Sequence, residues 1–282
     1  MKKARVFVTI VTTLLALTGC GPTKKPLLIC PGKNSSAEAL TTLKSQSKNM
    51  VSLYAKGKCR LQYYDDKEKK RKENLDVKLL VKSPAEIYFQ GDLSIVPKAV
   101  ILGSNETEFW LALRPKEIST YWSGRWSELE SSKDLLINPK TLLEALGIAE
   151  IDTRADWSLS NEGPFDILTK HKGGIDIQKT YIYCCDYTIR KIEYFDLDGR
   201  ALANAELDKY KNISENFSVP SRIKITTFGR SKTDSISITL DLGSIQHQQF
   251  TEKQASFFKP YPMEGFKHIY RLVDGQWVEQ LQ

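Results

Sequence analysis

From Val51 to Tyr64 the chain alternates without a break. Val51, Leu53, Ala55, Gly57, Cys59, Leu61 and Tyr63 take one side; Ser52, Tyr54, Lys56, Lys58, Arg60, Gln62 and Tyr64 take the other. Successive side chains of a strand point to opposite faces, so this period of two describes a long strand with one apolar face. The mixed-charge run from Asp65 to Glu73 reads as a hairpin loop, after which Leu75, Val77, Leu79 and Val81 alternate again. Ser83-Pro84 marks a turn, and Ile87 and Phe89 open a further strand. Strand-like runs recur at 99–102, 108–113, 118–122, 156–160, 166–169, 175–184, 189–195, 202–210, 222–228, 235–242 and 269–273, with Asp198-Gly199 as a hairpin turn. Short strands at this spacing argue for a mainly β chain, a barrel or wrapped sheet of about 11 strands.

Two segments depart from this period. Residues 36–50 read as a helix capped by Ser35 or Ser36, with Leu40, Leu43 and Met50 on one stripe. In 138–147, Asn138 stands as cap, Pro139 at the first helical position and Gly147 just past the end. Leu142, Leu143 and Leu146 form its apolar face. The small side chains of Ala55 and Gly57 would leave room inside a curved sheet. From about Thr251 the chain is rich in proline and aromatics and reads as irregular.

Hydrophobic residues make up 41% and charged residues 27%, which predicts a folded core rather than disorder. The formal charge is +7, but Lys2, Lys3 and Arg5 supply three of those cations. Acids are interspersed with bases in the remainder, including the 65–73 run, so no nucleic-acid partner is expected. The five cysteines are Cys20, Cys30, Cys59, Cys184 and Cys185. Neighbouring α-carbons are about 3.8 Å apart, too close for an ordinary bridge between Cys184 and Cys185. Cys30–Cys59 is the candidate disulfide, with free thiols as the alternative. His171, His247 and His268 lack metal-ligand spacing. Neither a nucleophile elbow, a zinc-protease helix nor a phosphate loop occurs, so no catalytic or metal residue is assigned and a non-enzyme is expected. Trp110, Trp122, Trp126 and Trp157 could line a sugar or lipid surface, or pack in the core.

The amino terminus has its own logic. Lys2, Lys3 and Arg5 precede an apolar run from Val6 to Leu17, which ends in Leu17-Thr18-Gly19-Cys20. A cationic start, a short apolar stretch and small residues before a cut are the layout of an export signal. The last four residues resemble a bacterial lipobox. That resemblance implies cleavage before Cys20 and a covalent lipid on Cys20, with no other cofactor. It divides the chain into a signal peptide at 1–19, a flexible tether at 20–35 and one domain at 36–282. Gly21, rather than Asp, after the lipidated residue points to the outer membrane, with the domain facing the periplasm.

The order of lipobox, tether, helix, long strands, Leu-rich helix and further strands resembles the LolA/LolB-like superfamily of envelope lipoproteins and lipoprotein carriers. Tyr54–Tyr64, Phe109-Trp110-Leu111, residues 138–147 and Val219-Pro220-Ser221-Arg222-Ile223-Lys224-Ile225 carry the match. The resemblance implies an unclosed antiparallel β-barrel wrapped around a helical lid, with an apolar interior that holds acyl chains. Leu79, Val81, Ile87, Phe89, Phe109, Leu111, Leu142, Leu143 and Leu146 are then the candidate cavity and lid residues. The expected partners are membrane lipids, lipoprotein acyl chains or a periplasmic carrier. The competing reading is a structural envelope lipoprotein that docks on a membrane protein complex, with a filled interior.

Overall fold

The computed structural model describes residues 27–64, 67–82, 85–116, 118–129, 139–149, 151–229 and 235–280. The proposed signal peptide, Cys20, the Ser83-Pro84 turn and the Asn138 cap lie outside these residues. The first half of the chain contains helix α1 (Ser36–Lys48) and strands β1 (Leu53–Tyr64), β2 (Lys70–Val81), β3 (Ile87–Asp92), β4 (Val100–Ser104), β5 (Glu108–Leu113) and β6 (Thr120–Arg125). Two short helices follow, α2 (Trp126–Leu129) and α3 (Pro139–Ala145). Then come β7 (Asp156–Glu162), β8 (Phe165–Lys172), β9 (Ile175–Tyr183), β10 (Ile189–Phe195), β11 (Ala201–Ser214), β12 (Phe217–Thr227) and β13 (Ile236–His247). A one-turn helix α4 (Glu252–Ala255), β14 (His268–Val273) and β15 (Gln276–Glu279) complete the order.

All these strands join one sheet of 15, in the order β15-β14-β6-β5-β4-β3-β2-β1-β13-β12-β11-β10-β9-β8-β7. Every pairing is antiparallel except β14 with β6. The two ends of this order, β15 and β7, do not pair with each other, so the sheet is unclosed. The expected count of about 11 strands is thus corrected upward. The strand-like runs read in the sequence correspond to β1–β14, and β15 alone is not legible there as a separate element.

Alternate residues bury on one side of the sheet. Leu53, Ala55 and Cys59 of β1 join Leu75, Val77 and Leu79 of β2 and Ile223, Ile225, Leu240 and Leu242 of β12 and β13 in one core. Near its end β2 buries three residues in a row, Leu79, Leu80 and Val81. Both of its faces are covered there. Leu79 and Val81 join the inner core, while Leu80 joins an outer cluster with Tyr88, Ile101, Trp110 and Tyr121. The aromatic C-terminal stretch, expected to be irregular, closes that outer cluster with Phe258 and Phe266.

Gly57 has a different role from the expected one. The β1–β13 register shifts between Lys56 and Gly57, and a Cβ at Gly57 would lie 2.1 Å from the Asp241 carbonyl oxygen. The glycine permits a close approach of two backbones at a bulge, and bulges sharpen local twist.

The helices follow their local signals. Ser35 caps α1 by accepting from the Glu38 amide, and Ala39, Leu40 and Leu43 bury against Leu168, Ile182 and Tyr187. Gly147 closes α3 with φ of +71°, a left-handed conformation that glycine adopts without a Cβ clash, while Gly147 and Ile148 donate to Glu144 and Leu143. A covering lid is not evident. In its place is the seven-residue α3, whose Leu142, Leu143 and Leu146 are buried in the inner core.

The disulfide expectation is also corrected. Cys30 bonds to Cys185, 155 residues away in sequence, and Cys59 is a buried free thiol. Alternation already placed Cys59 on the inward face of β1, out of reach of a surface segment. The bridge ties down what was expected to be free tether. There the Lys33 amide donates to Asp166 at 2.9 Å and Asn161 donates to the Lys33 carbonyl at 3.3 Å.

Candidate functional site

The inner side of the curled sheet is not filled. A cavity of about 400 Å³ lies against β1–β5, β12 and β13. Its walls are Cys59, Leu61, Leu75, Phe89, Val100, Leu102, Leu111, Leu113, Leu142, Ile223, Ile225, Thr227, Ile236, Ile238 and Leu240. All are apolar except one hydroxyl and one thiol. Burial pushes the Cys59 thiol up to about 12, so it stays protonated and behaves as a small apolar group. A dry cavity of roughly 150 Å³ accepts a benzene ring, and ligand pockets run from about 300 Å³ upward. The space is large enough for a hydrocarbon tail.

Of the residues expected to line an interior, the structure brings Phe89, Leu111 and Leu142 to this cavity. Leu79, Val81, Ile87, Leu143 and Leu146 instead belong to the packed core beside it. Phe109 packs against Trp126 and Trp277, away from the cavity wall. Sequence reading missed Val100, Leu113, Ile236 and Ile238, whose alternation in β4, β5 and β13 did carry the signal. The tryptophans scatter. Trp110 is buried in the outer cluster, Trp122 stacks on Tyr270 and Trp126 donates to the Asn105 carbonyl. Trp157 lines a second cavity.

That second cavity, about 140 Å³, lies between α1, α3 and the inner face of β7–β10. It is lined by polar as well as apolar groups, among them Lys140, Glu144, Asp152, Lys170, Gln178 and Thr180. The Tyr194 hydroxyl donates to Glu144 at 2.5 Å. Burial pushes the Glu144 carboxyl above its ordinary range, opposed by that hydrogen bond and by the ammonium groups of Lys140 and Lys170. Helix α3 is a wall of both cavities, with Leu142 toward the first and Lys140 and Glu144 toward the second.

One rim of the sheet is unusual. Antiparallel pairing puts the β3–β4, β5–β6, β10–β11 and β12–β13 turns at the same end. Ile95, Ile118, Leu197 and Phe228 sit on these turns and are exposed, Ile95 by 91%. Leu113, Thr227 and Ile236, at the strand ends next to these turns, line the larger cavity. The apolar rim is therefore continuous in sequence with the cavity wall.

Among the described residues no group of three or more His, Cys, Asp and Glu side chains is placed to hold a metal ion. No described helix is long and apolar enough to cross a membrane.

No family model matches the sequence, and no curated protein matches it. Solved structures do match in shape. A domain from Vibrio parahaemolyticus assigned to outer membrane lipoprotein sorting superposes with a TM-score of 0.54 at 13% identity, over 78% of this chain and 94% of that one. A LolA superfamily protein from Nitrosomonas europaea gives 0.50 at 13% identity, over 78% and 97%. A DUF1329 family protein from Desulfovibrio piger gives 0.52 at 12% identity, over 79% and 95%. The unclosed sheet, its hollow apolar side and these superpositions agree: the chain has a LolA/LolB-like fold.

Proposed function

We propose that this protein is a lipoprotein of the bacterial envelope that binds the acyl chains of lipoproteins or lipids and helps place them in the outer membrane. The observation that carries this reading is the apolar cavity of about 400 Å³ on the inner side of an unclosed sheet. Each methylene moved from water into it contributes about 0.8 kcal/mol, so affinity requires no covalent chemistry. The solved structures of the same shape include one assigned to lipoprotein sorting and one of the LolA superfamily, which supports a carrier or receptor rather than an enzyme. A lipid on Cys20 would hold the domain at the membrane, with two or more acyl chains giving stable anchorage. The exposed Ile95, Ile118, Leu197 and Phe228 give the cavity rim an apolar edge suited to a lipid surface or to a carrier that hands over its cargo.

The test is saturable binding of a fluorescent fatty-acyl probe to the purified protein, with Val100→Trp as the diagnostic variant. Val100 is half-buried in the cavity wall, so an indole there fills the space without adding a charge. Binding should weaken at least tenfold. A wild-type protein that shows no saturable uptake, or a variant that binds unchanged, overturns the proposal.

A further inference from the structure

The wall of the larger cavity is built in rows across paired strands. Thr227 and Ile236 make the row nearest the apolar rim. Leu61, Ile225 and Ile238 make the second, and Cys59, Leu75, Ile223 and Leu240 the third. Exposure falls with depth along β13, from 36% at Ile236 through the half-buried Ile238 to 3% at Leu240. The same trend runs from half-buried Leu61 to buried Cys59 on β1, and from half-buried Val100 to buried Leu102 on β4. Solvent therefore reaches this space from the rim. In the next row Val77 and Leu242 flank Gly57 and belong to the packed core, together with Leu143 and Leu146 of α3. Leu142 of the same helix lines the cavity. Among the described residues the cavity is thus a blind pocket, with its mouth at the rim and its floor at α3.

Two properties of this pocket limit what fits. The first is capacity. A dry cavity of about 150 Å³ holds the six carbons of benzene, so in proportion about 400 Å³ holds roughly 16 carbons. That is one long acyl chain and not two. The second is polarity. The wall's hydroxyl, on Thr227, sits in the outermost row and already accepts from the Ile236 amide at 3.2 Å. The deeper rows offer a polar head nothing to bond to, and burying such a head unpaired is costly.

We propose that the cavity takes a single acyl chain, methyl end first against α3, and leaves the polar head at the rim, so that its ligand is a singly acylated amphiphile, a fatty acid or a lysophospholipid. The inference rests on the acyl-chain reading above and deepens it by setting the number, length and direction of the chain.

The first test is displacement of the fluorescent acyl probe by saturated fatty acids of increasing length, each kept below its aggregation limit. Affinity should rise about tenfold for each pair of methylenes and level off near about 16 carbons. Cys59→Leu adds bulk to the third row without a charge and should bring the plateau about two carbons earlier. Leu142→Ala deepens the floor and should move it about three carbons later. The second test is a competition read by native mass spectrometry on the full-length protein in neutral detergent. Palmitate, monopalmitoyl glycerophosphocholine and dipalmitoyl glycerophosphocholine are offered at equal concentration. The singly acylated ligands should exceed the dipalmitoyl lipid about tenfold, because its second chain must leave the micelle for water. The ratio of palmitate to the monopalmitoyl lipid distinguishes the two sources of the chain. Affinity that still climbs between about 16 and about 20 carbons overturns this inference and leaves the acyl-chain reading standing. A plateau unmoved in the folded variants, or a dipalmitoyl lipid bound as tightly as the others, does the same. Saturable binding of none of these ligands removes both.

Discussion

The Tyr194 hydroxyl of β10 meets the Glu144 carboxylate of α3 at 2.5 Å, although the two residues are 50 apart in sequence. This contact pins a two-turn helix between the two cavities. Replacement of Tyr194 by Phe leaves the carboxylate without its donor, and the loss should be about 1–3 kcal/mol in urea unfolding near neutral pH.

The same pair carries a pH dependence. Burial raises the Glu144 carboxyl in the folded chain, so that chain keeps a proton which the unfolded chain has already lost. Stability should therefore fall as pH rises from the unfolded glutamate value of about 4.3 toward the raised folded value, then level off. Glu144→Gln removes this contribution. Denaturant midpoints measured from pH 4 to pH 8 should fall less steeply for the variant, and a parallel pair of curves would refute the assignment.

The Cys30–Cys185 bridge closes a long loop, and its removal by Cys30→Ser should cost about 2–5 kcal/mol. The variant should lose protection from proteolysis first around residues 27–34, because only non-covalent contacts, such as the Lys33 amide to Asp166 and Asn161 to the Lys33 carbonyl, then hold that segment.

Cys59 should resist alkylation in the native protein. It is buried in the cavity wall, and its thiol is pushed up to about 12 by burial, so the reactive thiolate is scarce at pH 8. Peptide mapping after brief iodoacetamide treatment should find Cys59 unmodified until denaturant is added. Rapid native labelling would place it at an open surface instead.

Phe266 separates stability from binding. It is buried in the outer cluster beside Tyr121, on the face of the sheet away from the cavities. Phe266→Ala should lower stability by about 3–5 kcal/mol, yet leave acyl-chain affinity within a few-fold of wild type wherever the protein is folded. A tenfold loss of affinity in the folded variant would show that the C-terminal stretch takes part in the site.

The amino-acid order alone determined the β character of this chain, the inward face of β1 and β2, a serine cap at 35 or 36 and the Gly147 stop. These depend on periods of two and 3.6 and on single turns, which neighbouring residues encode. The family resemblance, laid on the strand pattern, also pointed to Phe89 and Leu111 as cavity residues. It could not separate them from Leu79 or Ile87, because a cavity wall and a packed core have the same pattern. Only the curl of the sheet, set by pairings such as β1 with β13 and by the bulge at Gly57, decided which inward residues face empty space. The choice of Cys185 as partner for Cys30, and the meeting of Glu144 with Tyr194, were likewise decided by tertiary structure. Contacts between residues this far apart are made when the chain closes on itself, and no local pattern specifies them.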